Sequence, residues 1–259
     1  MTYPTKKVES AMYMIELINV SKEYKKTGAQ VLSNTTFNVE AGRFYAVMGS
    51  SGSGKTTLLN VIGGIDTFDS GEISIDNVRL SALSRNEMAD FRLNNVGIVY
   101  QNYNLIECLT LRENILLPLH NKDIDSSELD AISDELASKL GILSILDRYP
   151  HEVSGGEQQR AAICRAIINE PKVILADEPT GNLDSASTTA VMECFKKLNV
   201  EDGVTILMVT HEVYTASYCD KVMLFKDGKI TSSINRNGMN RKEFYRHILA
   251  ELELGEIYE

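Results

Sequence analysis

Phe44-Tyr45-Ala46-Val47-Met48, followed by Gly49-Ser50-Ser51-Gly52-Ser53-Gly54-Lys55-Thr56-Thr57, is the stretch that decides the fold of this 259-residue chain. A short apolar run, of the kind a buried strand makes, enters a glycine-rich loop; a helix-forming segment follows to Ile62 and ends at Gly63-Gly64. The loop fits G-x-x-x-x-G-K-[ST] in the context that pattern requires, after a strand and at the opening of a helix. Successive backbone N–H groups in such a loop form a concave anion site, and the helix N-terminus adds its positive dipole end. Lys55 supplies a point charge for the β- and γ-phosphates of a nucleotide, Thr56 offers a hydroxyl to Mg2+, and Thr57 completes the Lys-Thr-Thr ending. A Gly/Ser-rich linker needs neither that ending nor the strand before it.

Val173-Ile174-Leu175-Ala176 is a second apolar run and ends on Asp177-Glu178. An acid at a strand tip near a phosphate loop is the Walker B arrangement: Asp177 is expected to hold Mg2+. Glu178 is then free to polarise the attacking water as general base. Two acids after a strand are often only a solvated loop, and it is the glycine loop that gives them chemistry. Asn121-Lys122-Asp123-Ile124 is a near miss to the guanine-reading N-K-x-D, with Ile124 where the acid must stand. That counts against a GTPase.

The remaining pattern predicts an α/β protein. Met14 to Val20 reads as a strand of imperfect alternation, broken by Glu16 and Asn19, and Val31 to Val39 as a second, turned by Glu40-Ala41-Gly42. Glu72 to Asp76 alternates as a half-buried antiparallel strand does. From Leu105 to Leu146 the periodicity is helical: Ser126-Ser127 are expected to cap a helix with Leu129, Ile132, Leu136 and Leu140 on one face and Gly141 as its stop. A helix from Ser185 to Leu198 precedes the strand Thr205 to Val209, and Asp227-Gly228 marks a hairpin between Val222–Phe225 and Lys229–Thr231. Strands separated by helices indicate parallel βαβ units. Residues 1–13 read as an N-terminal extension, with a start at Met14 as the alternative.

Composition narrows the setting. Apolar content of 43% and charged content of 24% are ordinary for a soluble globular protein. A net charge of -10 argues against a general nucleic-acid binder, which needs clustered Lys and Arg. Cys108, Cys164, Cys194 and Cys219 show no C-x-x-C spacing and are expected to be reduced and half-buried. No apolar run approaches the ~18 residues of a membrane span, and no signal-peptide core is seen at the N-terminus. A cytosolic protein is expected, linked to a membrane only through a partner.

Val153-Ser154-Gly155-Gly156-Glu157-Gln158-Gln159-Arg160 then resembles the signature of ATP-binding cassette (ABC) ATPases. Physically it is another small-residue turn feeding a helix N-terminus, hence a second place for a phosphate. The resemblance covers about residues 14–235. It implies a P-loop NTPase of the ABC-ATPase fold: an α/β core, an antiparallel N-terminal β-subdomain, an inserted helical subdomain at about 102–165, and a helical tail at 236–259. Gln101 matches the Q-loop glutamine, which in the family contacts Mg2+ and water and meets the transmembrane partner. Gly181-Asn182-Leu183-Asp184 matches the D-loop at the dimer seam, with Asp184 its acid. His211 matches the switch histidine at the γ-phosphate, and Tyr24 the aromatic that stacks on adenine, with Tyr45 a competitor for that role. His120, His151 and His247 have no motif support. The family works as a head-to-tail homodimer, the signature of one copy covering the ATP on the loop of the other, on the cytoplasmic face of the membrane against an integral-membrane permease.

Two departures stand out. Val153 replaces the usual Leu, and Glu157 replaces the usual Gln, placing a carboxylate near a phosphate-facing turn. A bacterial subgroup shares Gly-Gly-Glu-Gln-Gln-Arg and Glu-Pro-Thr-Gly-Asn-Leu-Asp; it includes lipoprotein-release, macrolide-export, cell-division and peptide-resistance ATPases. Within it, Thr210 to Val222, Phe225 to Ile230 and the tail from Asn240 to Leu249 look most like the bacitracin-type peptide-resistance ATPases, which implies a sensor histidine kinase reached through the permease. The alternatives are another member of the subgroup, or a chromosome-maintenance ABC ATPase. Against the latter stand the acidic charge and the absence of a long coiled coil between the motifs.

Overall fold

The computed structural model describes residues 13–25 and 28–257, with side chains as far as Glu253; the expected extension lies outside these residues except for Tyr13. Strands β1 (Tyr13–Tyr24) and β2 (Ala29–Glu40) come first, then β3 (Phe44–Met48) and helix α1 (Lys55–Ile62). β4 (Ser70–Ile75), β5 (Val78–Arg79) and α2 (Arg85–Asn95) lead to β6 (Val96–Tyr100). The helices α3 (Leu111–Leu116), α4 (Ser126–Lys139) and α5 (Gly155–Ile167) follow without an intervening strand. The chain then alternates through β7 (Val173–Asp177), α6 (Ser185–Glu201), β8 (Thr205–Thr210) and α7 (Val213–Ala216). It finishes with the hairpin β9 (Lys221–Lys226) and β10 (Lys229–Asn235) and with α8 (Arg241–Ile257).

Two sheets result. One is antiparallel, in the order β2-β1-β4-β5; the other runs β10-β9-β3-β8-β7-β6 and is parallel except for β10. Burial on both faces explains the unbroken apolar runs. Along β3, Phe44, Ala46 and Met48 enter the core under the helices, whereas Tyr45 and Val47 enter the core shared with the antiparallel sheet and α1. β7 divides in the same way, Ile174 and Ala176 against Val173 and Leu175.

The imperfect alternation of β1 has a structural cause. Asn19 takes φ 50°, and the pairing with β2 shifts register between Leu17 and Val20, so Ile15, Leu17 and Val20 are all fully buried despite their uneven spacing. Leu129, Ile132 and Leu136 of α4 pack on the helical core and Leu140 is buried in it, as their spacing predicts. The cap differs from expectation: Asp125, in extended conformation, is the N-cap, and Ser126 is already helical. The helix gains a residue there because Glu128 and Leu129 both donate backbone bonds to the Asp125 carbonyl. α6 runs past Leu198 to Glu201, carrying the chain to the turn at Gly203 (φ 68°). α2 was not expected: it buries no residue and is fixed by a capping box between Ser84 and Glu87. In the tail, Phe244 and Ile248 of α8 are fully buried in the helical core. Among the described residues no helix is long and apolar enough to cross a membrane.

Candidate active site

Parallel pairing puts the chemistry on one edge. Met48 pairs with Thr210, Asp177 with Val209 and Tyr100 with Asp177. The glycine loop, Gln101, Asp177-Glu178 and His211 therefore all leave the sheet at the carboxyl ends of adjacent strands, where open α/β sheets bind ligands.

The glycines of the loop are required by position. Gly54 is the N-cap of α1 at φ 102°, and a Cβ there would meet Val31 Cγ1 at 2.5 Å; a Cβ on Gly49 would meet the Phe225 carbonyl at 2.4 Å. No side chain caps α1, so its first N–H groups are free to face an anion. Ser51, Gly52, Gly54, Lys55, Thr56 and Thr57 line a cavity of about 400 Å³, closed by Val31, Gln101 and Glu178. The buried hydroxyl of Ser53 has no partner in the loop.

Charge is concentrated at the mouth of this loop. Lys55 is only 4% exposed; its ammonium donates to the Gly49 carbonyl at 2.9 Å and the Ser50 carbonyl at 2.8 Å, and lies 3.7 Å from Glu178 Oε1. His211 Nδ1 approaches Glu178 Oε2 to 3.0 Å, so Glu178 is held between lysine and imidazole. Its backbone is left-handed at φ 43° and pinned at both ends, its N–H to the Val209 carbonyl and its carbonyl to Gly181 N–H. Such a conformation costs about 1–3 kcal/mol and persists where the surroundings enforce it. Thr56 Oγ1 donates to Asp177 Oδ1 at 3.1 Å. Burial pushes the Asp177 carboxyl above its usual range and the charge of Glu178 adds to this, while the Thr56 hydroxyl and the Lys55 ammonium oppose it. Two close carboxylates with one nearby ammonium favour a further cation. The donors are hard oxygens, a carboxylate and a hydroxyl, as suits magnesium completed by phosphates and water. Among the described residues no group of three or more His, Cys, Asp or Glu side chains forms a cage by itself.

Tyr24 stands at the rim. Its hydroxyl donates to Asp66 Oδ2 at 2.9 Å and lies 3.4 Å from Thr57 Oγ1, while Lys22 Nζ is 5.1 Å from the ring centroid. Tyr45, the competitor, is 4% exposed between the sheets, its phenol pushed up to about 12 by burial and by Glu40. It is core.

The signature lies elsewhere. Ser154, the N-cap of α5, Gly155, Gly156 and Glu157 do not line the cavity. A Cβ on Gly155 would meet the Tyr103 hydroxyl at 2.6 Å, and one on Gly156 would meet Ser187 Cβ at 2.8 Å. Glu157 is turned into the cap: its Oε2 accepts from Ser154 N–H at 2.8 Å and from Ser154 Oγ at 2.7 Å, and these bonds hold the carboxyl below its usual range. Because the folded value is depressed, the cap is intact at neutral pH and loses this support only as pH falls below the usual carboxylate range, through that depressed value. Asp184 caps α6, accepting from Ser187 N–H at 2.8 Å. Cys164 and Cys219 are buried and Cys194 partly so; Cys108 is exposed, unlike the expectation, and all four are free.

Two neighbours of these residues carried no expected role. Asp66, which anchors Tyr24 and Lys22, has no sequence signal. Asn182, inside the D-loop motif, hydrogen-bonds to Gln101.

A family model described as ABC transporter matches residues 32–181. The ABC transporter ATP-binding protein YxdL of Bacillus subtilis (strain 168) is 48% identical over 242 residues, covering 93% of this chain and 94% of that protein. The bacitracin export ATP-binding protein BceA of Halalkalibacterium halodurans is 42% identical over 240 residues, 92% of this chain and 95% of that one. Among solved structures, the dimeric post-hydrolysis state of the ATP-binding cassette MJ0796 with ADP and Pi superposes at a TM-score of 0.81 and 38% identity, covering 87% of this chain and 100% of the other. The glycine loop, the strand-end acids and these likenesses lead to one statement: the chain belongs to the ABC transporter ATP-binding family and is an ATPase.

Proposed function

We propose that two copies of this chain form a head-to-tail dimer that hydrolyses ATP at two composite sites and drives a membrane permease of the peptide-resistance type. The observation that carries the ATPase chemistry is the convergence of Lys55, Thr56, Asp177, Glu178 and His211 at one sheet edge. The loop from Gly49 to Thr57 and the N-terminus of α1 bind the phosphates of ATP, and Tyr24 at the rim receives the adenine. Glu178 accepts the proton of the attacking water, oriented by His211, and Lys55 offsets charge growing on the transferring phosphoryl group. Mg2+, held by Asp177, Thr56 and Gln101, would neutralise phosphate charge when bound. Ser154 to Glu157 and Asp184 act on the other copy. The separation of the signature from the cavity, and the dimeric state of the similar MJ0796 cassette, support this arrangement.

The permease contact, through the Q-loop groove, places the protein peripherally on the cytoplasmic face, with a sensor histidine kinase as a further partner through the permease. No nucleic-acid partner is proposed, in line with the net charge of -10. Similarity to a bacitracin export ATPase over 92% of the chain supports the peptide-resistance reading. Deleting the gene is expected to sensitise the cell to bacitracin-type peptides, with rescue by the wild-type chain but not by Glu178→Gln. Unchanged peptide sensitivity, with a defect in macrolide tolerance, lipoprotein release or division, would reassign the chain within the subgroup.

A further inference from the structure

Asn182 lies in the loop between β7 and α6 and is exposed, yet its amide makes three hydrogen bonds to the loop that follows β6. Gln101 Nε2 donates to Asn182 Oδ1 at 3.4 Å; in return Asn182 Nδ2 donates to the Gln101 carbonyl at 3.3 Å and to Asn102 Oδ1 at 2.8 Å. Gly181 lets the two loops close, because a Cβ there would lie 2.6 Å from Gln101 Nε2. Gly181 N–H also donates to the carbonyl of Glu178 at 3.0 Å, so the clasp is continuous with the catalytic turn.

A primary amide has two unlike ends: the nitrogen donates and the oxygen accepts. With Nε2 committed to Asn182, the end of Gln101 left for the cavity that it lines is Oε1, the end able to face a cation or to accept from water. We propose that Asn182 is a positioning residue that sets the orientation of the Gln101 amide, so that its oxygen rather than its nitrogen is offered to the magnesium–nucleotide complex. The same three bonds link the loop ending in Asp184 to the loop after β6. This inference rests on the reading of Gln101 as a group that meets magnesium.

The test is a binding measurement in the full chain carrying Glu178→Gln to suppress turnover. ATP affinity is measured by calorimetry with and without Mg2+, for the parent and for added Asn182→Ala, Gln101→Ala and both. Loss of a pre-set amide is expected to cut the Mg2+-dependent gain in affinity about three- to tenfold for Asn182→Ala, leaving the Mg2+-free affinity within about twofold. Gln101→Ala should lose at least as much, and the double variant no more than Gln101→Ala alone. Equal losses with and without Mg2+, no loss at all, or additive losses in the double variant would overturn the clasp while leaving the Gln101 reading in place. An unchanged Mg2+ gain in Gln101→Ala would overturn that reading and the inference with it. Asn182 is exposed, so an unaltered melting curve is expected and separates positioning from a folding defect.

Discussion

Replacing Glu178 by Gln is expected to leave ATP binding intact and to lower turnover by about 10²- to 10⁴-fold, the span attributed to a positioned proton acceptor. The geometry makes this a narrow test. Glutamine keeps the size of the side chain and can remain between Lys55 and His211, but it cannot take a proton from water. The left-handed backbone at φ 43° stays, because it is enforced by the bonds to Val209 and Gly181 rather than by the carboxylate. One carboxylate fewer beside Asp177 also removes a repulsion that raises the Asp177 carboxyl, so nucleotide affinity should hold or improve. Single-turnover hydrolysis and equilibrium binding, measured on the same preparation, separate the two effects. Turnover at the wild-type rate would remove Glu178 from its role.

Lys55→Ala is expected to act on binding. The ammonium is nearly fully buried and makes two charge-assisted bonds to loop carbonyls, so its loss frees Gly49 and Ser50 as well as removing the charge that phosphates meet. Each hydrogen bond to a charged group is worth about 1.5–3 kcal/mol, which corresponds to about ten- to 150-fold in nucleotide affinity for one lost contact. The Asp177 carboxyl, already raised by burial, would rise further without its cationic neighbour, and Mg2+ dependence should move to higher pH accordingly. Calorimetry reads the affinity directly. Unchanged binding would show that the loop backbone alone holds the phosphates.

The phosphate loop, the strand-end acids and the two-sided burial of β3 and β7 were legible in the sequence because each rests on local pattern. A glycine at a left-handed or crowded position, an acid at a strand tip and an unbroken apolar run need no knowledge of distant residues. The capping box at Ser84 and Glu87 has the local form Ser-x-x-Glu, but α2 turns only Met88 and Phe91 onto the core and buries neither fully, which leaves a weak helical stripe. What stayed hidden depends on pairing. Tyr24 is fixed by Asp66, 42 residues away in the chain, and Gln101 by Asn182, 81 residues away. Glu157 differs: its pairing with Ser154 is local, three residues apart, and the fold turns the carboxylate into that cap.

In the proposed dimer each hydrolytic site is completed by a second copy of the chain. Specific ATPase activity measured across a dilution series, at saturating ATP and fixed Mg2+, tests it most directly. Activity per mole of chain is expected to fall with dilution as dimers dissociate, and to recover on concentration. Activity per mole that stays constant when the chain is monomeric by light scattering would contradict it.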